Sequence, residues 1–342
     1  MVRSPALPQD FVPPAEARDA APRVPSWLGA IAVQDAVLGG YLVIMRALVQ
    51  LAGAQPGQAA AARAIDIALL LLGVGVVVGR VLTAVPSAVR AVIYRVSVAG
   101  TLLLGYLMLR DVLLVVRSDA LDAALLGIDE RLLGVTPALW LERFASPAAV
   151  EYFSFFYFSY FALIGLFMVA VVWLERPSRH TAVFAIGTLL VFAVGQLVYV
   201  LVPGYGPYAH LASRFAAPLP GGFFWSLVQH AVQAGGAMKD IFPSLHTAVP
   251  TWLALYAIGR ARGDARWRVP AAVTAFFAAN IVVSTMFLRW HYAVDVAAGL
   301  LLAVGVAAVA PLLARWEERR RMRFGHAQPW AFQGSSPATT RG

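Results

Sequence analysis

The chain contains no cysteine and a single lysine, Lys239, and only 13% of its 342 residues are charged. The first absence excludes disulfides and thiolate-bound metals and leaves the redox compartment unreadable. The second leaves arginine to carry nearly all the positive charge, a usage that suggests a GC-rich bacterial genome. The third excludes an ordinary soluble domain, in which about a quarter of residues are charged. No GxSxG nucleophile elbow is present, and no convincing internal repeat. Apolar residues fill the chain instead, at 60%, with a mean hydropathy of +0.72.

Crossing roughly 30 Å of hydrocarbon takes about 20 apolar residues. Eight stretches qualify: about 28–53, 64–85, 91–116, 151–174, 181–202, 246–262, 269–288 and 291–314. The expected fold is therefore an all-α polytopic membrane protein of about eight transmembrane helices. Residues 1–25 are proline-rich with mixed charges, lack the basic-then-apolar order of a signal peptide, and read as a disordered leader. Transmembrane helices follow over 26–116, a second segment carrying the remaining spans over 117–315 and a basic tail over 316–342.

Arginines set the orientation. GRARGDARWR (259–268) holds four, RWEERRRMR (315–323) five and ERPSR (175–179) two, and Arg80, Arg90 and Arg95 cluster in a fourth region. All four regions fall on one side of an eight-span topology, which the positive-inside rule makes cytoplasmic, together with both termini. The nine-charge excess lies in short loops, a pattern suited to anionic lipid headgroups and not to nucleic acid. The acidic residues Asp119, Asp122, Asp129, Glu130 and Glu142 of the opposite loop read as a solvated interfacial helix. Asp35, Arg46, Asp66, Arg110 and Asp111 can pair between the early helices.

Two histidines stand out at the outer face. His246 lies in FPSLHTA (242–248) and His291 in RWHYAVD (289–295), each opening an apolar stretch, with the Gly/Pro-rich GYGPY (204–208) upstream. Residues four apart share a helix face, so Asp295 reaches the ring of His291. A carboxylate that accepts one ring N–H leaves the other nitrogen free as nucleophile or base. A second histidine supplies the proton a leaving alkoxide needs. Nearby cations, Arg289, Lys239 and Arg214 in that order of preference, suit phosphate oxygens, so phosphoryl transfer fits better than acyl transfer. Tyr205 and Tyr208 either line a headgroup pocket or belong to an interfacial belt, with the pocket preferred. His180, His210, His230 and His326 read as loop residues.

FPSLHTA resembles the second signature, with PSxH at its core, of the type 2 phosphatidic acid phosphatase (PAP2) superfamily, and RWHYAVDVAAG (289–299) resembles the third. The HYxxD and SLHT forms, GYGPY, and LLGIDERLLGVTPALWLERFASP (125–147) before a helix with Tyr157 and Tyr160 look most like its inositolphosphotransferase branch, which includes inositol phosphorylceramide synthases. The likeness covers about 120–315, placing the family's helical core in the C-terminal two-thirds of the chain. It implies that His291 is a nucleophile forming a phosphohistidine, that Asp295 orients it and that His246 handles the proton. Ser244, within PSxH, joins the expected substrate contacts. No cofactor or metal is implied. The common first signature, a lysine followed by arginine and proline, is absent, with GYGPYAHLASRF (204–215) in its place, and Ser284 is followed by Thr285 where the family usually has Ser-Arg.

The expected activity is transfer of a phospho-headgroup such as phosphoinositol from a membrane phospholipid donor to a hydroxyl acceptor, at the outer face of a bacterial plasma membrane. Two alternatives stand beside it: a lipid phosphate phosphatase with water as acceptor, and a transporter or membrane scaffold.

Overall fold

A computed structural model describes residues 30–235, 238–326 and 329–330, so the leader and most of the tail lie outside the described residues. The architecture is helical, with no strand among the described residues. In chain order the helices are α1 (Val33–Leu51), α2 (Gln58–Val76, with a π turn to Val81), α3 (Ser87–Leu107), α4 (Leu109–Val116), α5 (Asp122–Leu133), α6 (Pro137–Leu141), α7 (Pro147–Phe167, continued as π turns to Leu174), α8 (Arg179–Leu201), α9 (Pro207–His210), α10 (Phe223–Gly235), α11 (Leu245–Ala261), α12 (Arg268–Phe287) and α13 (Ala293–Arg323).

Among the described residues, six helical stretches are long and apolar enough to cross a membrane: Gln58–Val81, Ser87–Leu107, Pro147–Leu174, Arg179–Leu201, Ala265–Phe287 and Ala293–Arg323. The other two expected spans are helical as well. One is α1, which carries Asp35 and Arg46, and the other is α11, only 17 residues long with Pro250 inside it. Neither meets the same standard of length and hydropathy.

Local signals explain the ends. Ser146 caps α7, its hydroxyl accepting from the Ala149 amide at 3.3 Å, with Pro147 next, where a missing N–H costs nothing. α5 stops at Gly134, whose φ of +77° is the left-handed closure that glycine adopts cheaply.

α8 is the central post. It buries 78% of its apolar window, against 28–44% for the other five stretches, and packs on α1, α11 and α13. One apolar core runs from Leu38 on α1 to Ala314 on α13, so the N-terminal helices and the remainder share it. Tyr41 on α1 reinforces the junction by donating to Oε1 of Gln196 on α8 at 2.5 Å.

One cluster of ion pairs closes the end of the bundle opposite His246. Arg80 bonds Asp35 at 3.3 Å, and Tyr94 donates to the same carboxylate. Glu317 accepts from the Val33 amide and from Arg321, both at 3.1 Å, while Arg321 also donates to the Ala30 carbonyl. Trp330 packs edge-on against Tyr94. Arg260 grips Glu175, and Arg179 bonds Glu318. Away from that end, Arg46 and Asp66 pair across α1 and α2 at 3.0 Å, one of the pairings expected of the early charges, whereas Asp35 takes Arg80 as its partner.

Candidate active site

The site is built where the first turns of α11 and α13 meet. Ser244 precedes α11, and its hydroxyl accepts from the Thr247 amide at 3.2 Å, placing His246 in the first turn. Helix N-termini carry partial positive charge and attract anions. Tyr292 caps α13, and its amide donates to Oδ2 of Asp295 at 2.9 Å. A backbone bond from the Ser244 amide to the Asp295 carbonyl, 3.0 Å, staples the two motifs together. Gly299 permits that approach: a Cβ there would lie 2.5 Å from the Ser244 carbonyl oxygen.

His291 and Asp295 form the expected pair. Nδ1 of the ring lies 3.4 Å from Oδ2 of the carboxylate, the distance of an ion pair and not of an aligned hydrogen bond. Asp295 is fully buried and His291 almost so. His246 is clamped between two rings, with Tyr157 stacked at 4.2 Å and 9° and Tyr160 at 4.1 Å and 28°. Its ring plane is thereby fixed, and Nδ1 has no hydrogen-bond partner among the described residues.

Both histidines open onto a cavity of about 390 Å³. Its polar end is ringed by Tyr106, Tyr157, Tyr160, Tyr199 and Tyr205, with Asp240 as its carboxylate. Burial raises Asp240 above the ordinary carboxylate range, while its own backbone amide and the charge of His291 oppose the rise. Chemically, the arrangement offers one oriented imidazole beside a carboxylate and a second imidazole held independently. Among the described residues, no three His, Asp or Glu side chains are grouped to hold a metal ion.

A model of the PAP2 superfamily matches residues 123–309. The chain belongs to the PAP2 superfamily. Members are usually phosphatases or phosphotransferases, and the helical, apolar architecture fits an integral membrane protein of that kind. Searches of curated proteins and of solved structures returned no match. The matched segment starts at α5 and contains His246, His291 and Asp295, leaving α1 to α4 outside it.

Within this PAP2 segment the structure separates the remaining candidates. Tyr205 lines the cavity, whereas Tyr208 stacks at 4.6 Å on Trp290, which lines it. Ser244 is fully buried and serves as a helix cap. None of the three candidate cations lines the cavity. Arg289 bonds Glu142 at 3.1 Å and the Ala217 carbonyl at 3.0 Å, and its guanidinium lies over Phe215 at 3.8 Å. Lys239 donates to the carbonyls of Ser118, Arg117 and Asp119, closing the end of α4. Arg214 pairs at the surface with Glu130. Of the four other histidines, His180, His210 and His230 are exposed and His326 is partly so.

The acidic stretch of 117–150 departs from expectation. Asp119 and Glu130 are exposed, but Asp122 and Asp129 are buried under the site. Asp129 accepts from the Ala293 amide at 2.8 Å, the Val294 amide at 3.0 Å and Thr136 at 2.8 Å, so it anchors the start of α13. Asp122 accepts from the Tyr205 and Gly206 amides at 2.9 and 2.8 Å and from the Tyr292 hydroxyl at 3.1 Å, joining GYGPY to the histidine motif. Gly206, at φ +82°, lies so close that a Cβ would fall 2.2 Å from the Trp290 oxygen. The two carboxylates are seven apart on α5, a same-face spacing that was the available sequence signal. Asp240 carried none, lying beside Lys239 like an ordinary loop charge.

Proposed function

We propose that this protein is a lipid phosphotransferase working through a phosphohistidine. The observation that carries the reading is the meeting of His246 with the buried His291–Asp295 pair on one cavity. The free ring nitrogen of His291 attacks phosphorus. A P–N bond forms as the P–O bond to the lipid breaks, and His246 gives its proton to the departing alkoxide. Asp295 holds the ring and stabilises the positive charge that develops on it. An acceptor hydroxyl then attacks phosphorus, passes its proton to His246 and frees His291. With the candidate cations held outside the cavity, phosphate charge is met by the imidazoles, the tyrosine hydroxyls and the N-terminus of α11.

In this reading α1, α2, α3, α7, α8, α11, α12 and α13 make eight crossings, the ion-pair end is cytoplasmic, and the site faces the outer leaflet of a bacterial plasma membrane. The arginine-rich loops support that orientation. The donor is a phospholipid with a polyol headgroup such as phosphoinositol, on the HYxxD and SLHT forms of the motifs. Hydrolysis by the same site is the second reading, since only exclusion of water separates the two.

The test uses purified protein in detergent with a labelled phospholipid panel, with and without inositol, glycerol and ceramide acceptors. Acceptor-dependent lipid product that disappears in His291→Ala supports transfer. Phosphate release independent of acceptor makes the enzyme a phosphatase, and activity surviving in His291→Ala removes the phosphohistidine.

A further inference from the structure

Below its polar end the cavity continues as an apolar trough. On one side it is lined by Ala99, Leu102 and Leu103 of α3, and on the other by Ile164, Met168 and Trp173 of α7 and its π turns. α3 lies outside the segment that matches the PAP2 superfamily. Leu103 and Trp173 are each more than two-fifths exposed on surfaces that a bilayer would cover. The trough is therefore open sideways. It also has a floor: Nε of Arg95 on α3 donates to the Val172 carbonyl at 2.9 Å, and its guanidinium lies 5.6 Å over the Trp173 ring. That contact joins α3 to α7 at the lower end and leaves them apart above.

From these observations we infer that α3 completes the substrate site, forming one wall of a trough that takes a single extended hydrocarbon chain of the lipid. The chain runs from His246 down to the Arg95–Trp173 floor. Thirteen residues separate Tyr160, against the His246 ring, from Trp173, or roughly 20 Å of helix at about 1.5 Å per residue. That length is a large part of the roughly 30 Å hydrocarbon core and suits a long acyl or alkyl chain. The occupant is thus an amphiphile with its phosphate at the imidazoles and one tail between α3 and α7, entering through the side gap. The floor makes the trough a ruler, since each buried methylene adds affinity only until the chain meets Trp173.

The inference deepens the phosphotransferase reading but is tested apart from it. Full-length protein in nanodiscs is labelled with a phosphatidate bearing a diazirine at the end of one acyl chain, and adducts are mapped by mass spectrometry. Adducts on residues 99–103 and 168–173, suppressed in Ala99→Trp, are expected. Adducts confined to outward faces, such as Val96 or Leu70, or unchanged by Ala99→Trp, overturn the inference whether or not the protein turns over. Kinetically, the ratio of kcat/KM for a phosphoinositol donor with a hexadecyl tail to that for one with a butyl tail should fall tenfold or more in Ala99→Trp. Trp173→Ala, which removes bulk instead of adding it, should move the optimum to longer chains. Equal chain-length profiles in all three proteins would refute the ruler. Loss of all turnover with labelling intact would instead remove the catalytic reading and leave the trough.

Discussion

Asp129→Asn isolates how far the site depends on a carboxylate that touches no substrate. In the native chain one Asp129 oxygen accepts from the Ala293 amide and Thr136, and the other from the Val294 amide. An asparagine offers one oxygen and one NH2 group, so whichever way it turns an N–H donor faces another donor. The change costs a bond to a charged acceptor and strands a buried amide, each worth about 1–3 kcal/mol. A net loss of about 2–6 kcal/mol follows, or roughly 30- to 20,000-fold in local opening at about 1.4 kcal/mol per decade. Hydrogen exchange across residues 290–296 should accelerate by that factor, with α8 unchanged. Turnover should fall at least tenfold, because His291 and Asp295 ride on the same turn. Glu130→Gln is the control, since its exposed bridge to Arg214 contributes about 0–1 kcal/mol. Native exchange and native turnover in Asp129→Asn would refute the anchoring argument.

Three further outcomes are expected. Gly299→Val should separate α11 from α13 and abolish turnover, whereas Gly305→Ala, where a Cβ meets nothing within 4 Å, should be neutral or stabilise by about 0.5–1 kcal/mol; equal activities would dismiss the close approach. Asp295→Asn should lower kcat about 10²–10⁴-fold without ending turnover, and wild-type kinetics would remove its orienting role. Asp240→Asn bears on pH: a folded-state pKa raised above the unfolded one means that the folded protein holds the proton more tightly. Its stabilisation is fully present below the ordinary carboxylate range and is lost as pH rises from that range through the raised folded-state value. The asparagine variant should melt higher than wild type in detergent at neutral pH and match it at pH values below that range, and a lower melting point at neutral pH would contradict the sign.

The two motifs carried most of the site into the sequence because their geometry is local. A serine cap fixes His246 in a first turn, and the four-residue spacing fixes Asp295 under His291. Helix existence was equally legible, since long apolar runs have few other solutions. What escaped the sequence is what depends on distant partners. All but one of the bonds that Asp129 and Asp122 receive come from 83 to 170 positions away, so a 12-residue helix bearing them looked like a water-facing surface. Arg289 reads as a phosphate ligand until Glu142, 147 positions earlier, is folded against it. The six stretches that meet the full span standard differ from the eight expected because Asp35 and Arg46 dilute α1 and because α11 is short. Those charges have intrachain partners, and partners do not register in hydropathy.

The Asp35–Glu317 cluster also imposes an order on biogenesis. The Val33 amide and its Glu317 acceptor are 284 positions apart. At roughly 5–20 residues per second, a ribosome needs tens of seconds to travel between them. Over that interval Asp35 already has Arg80 and Tyr94 nearby, while the first turn of α1 has yet to receive Glu317 and Arg321. The first helix is thus inserted with a provisional set of partners and sealed only when the last one arrives, which makes the closing of the bundle a final, post-synthetic event.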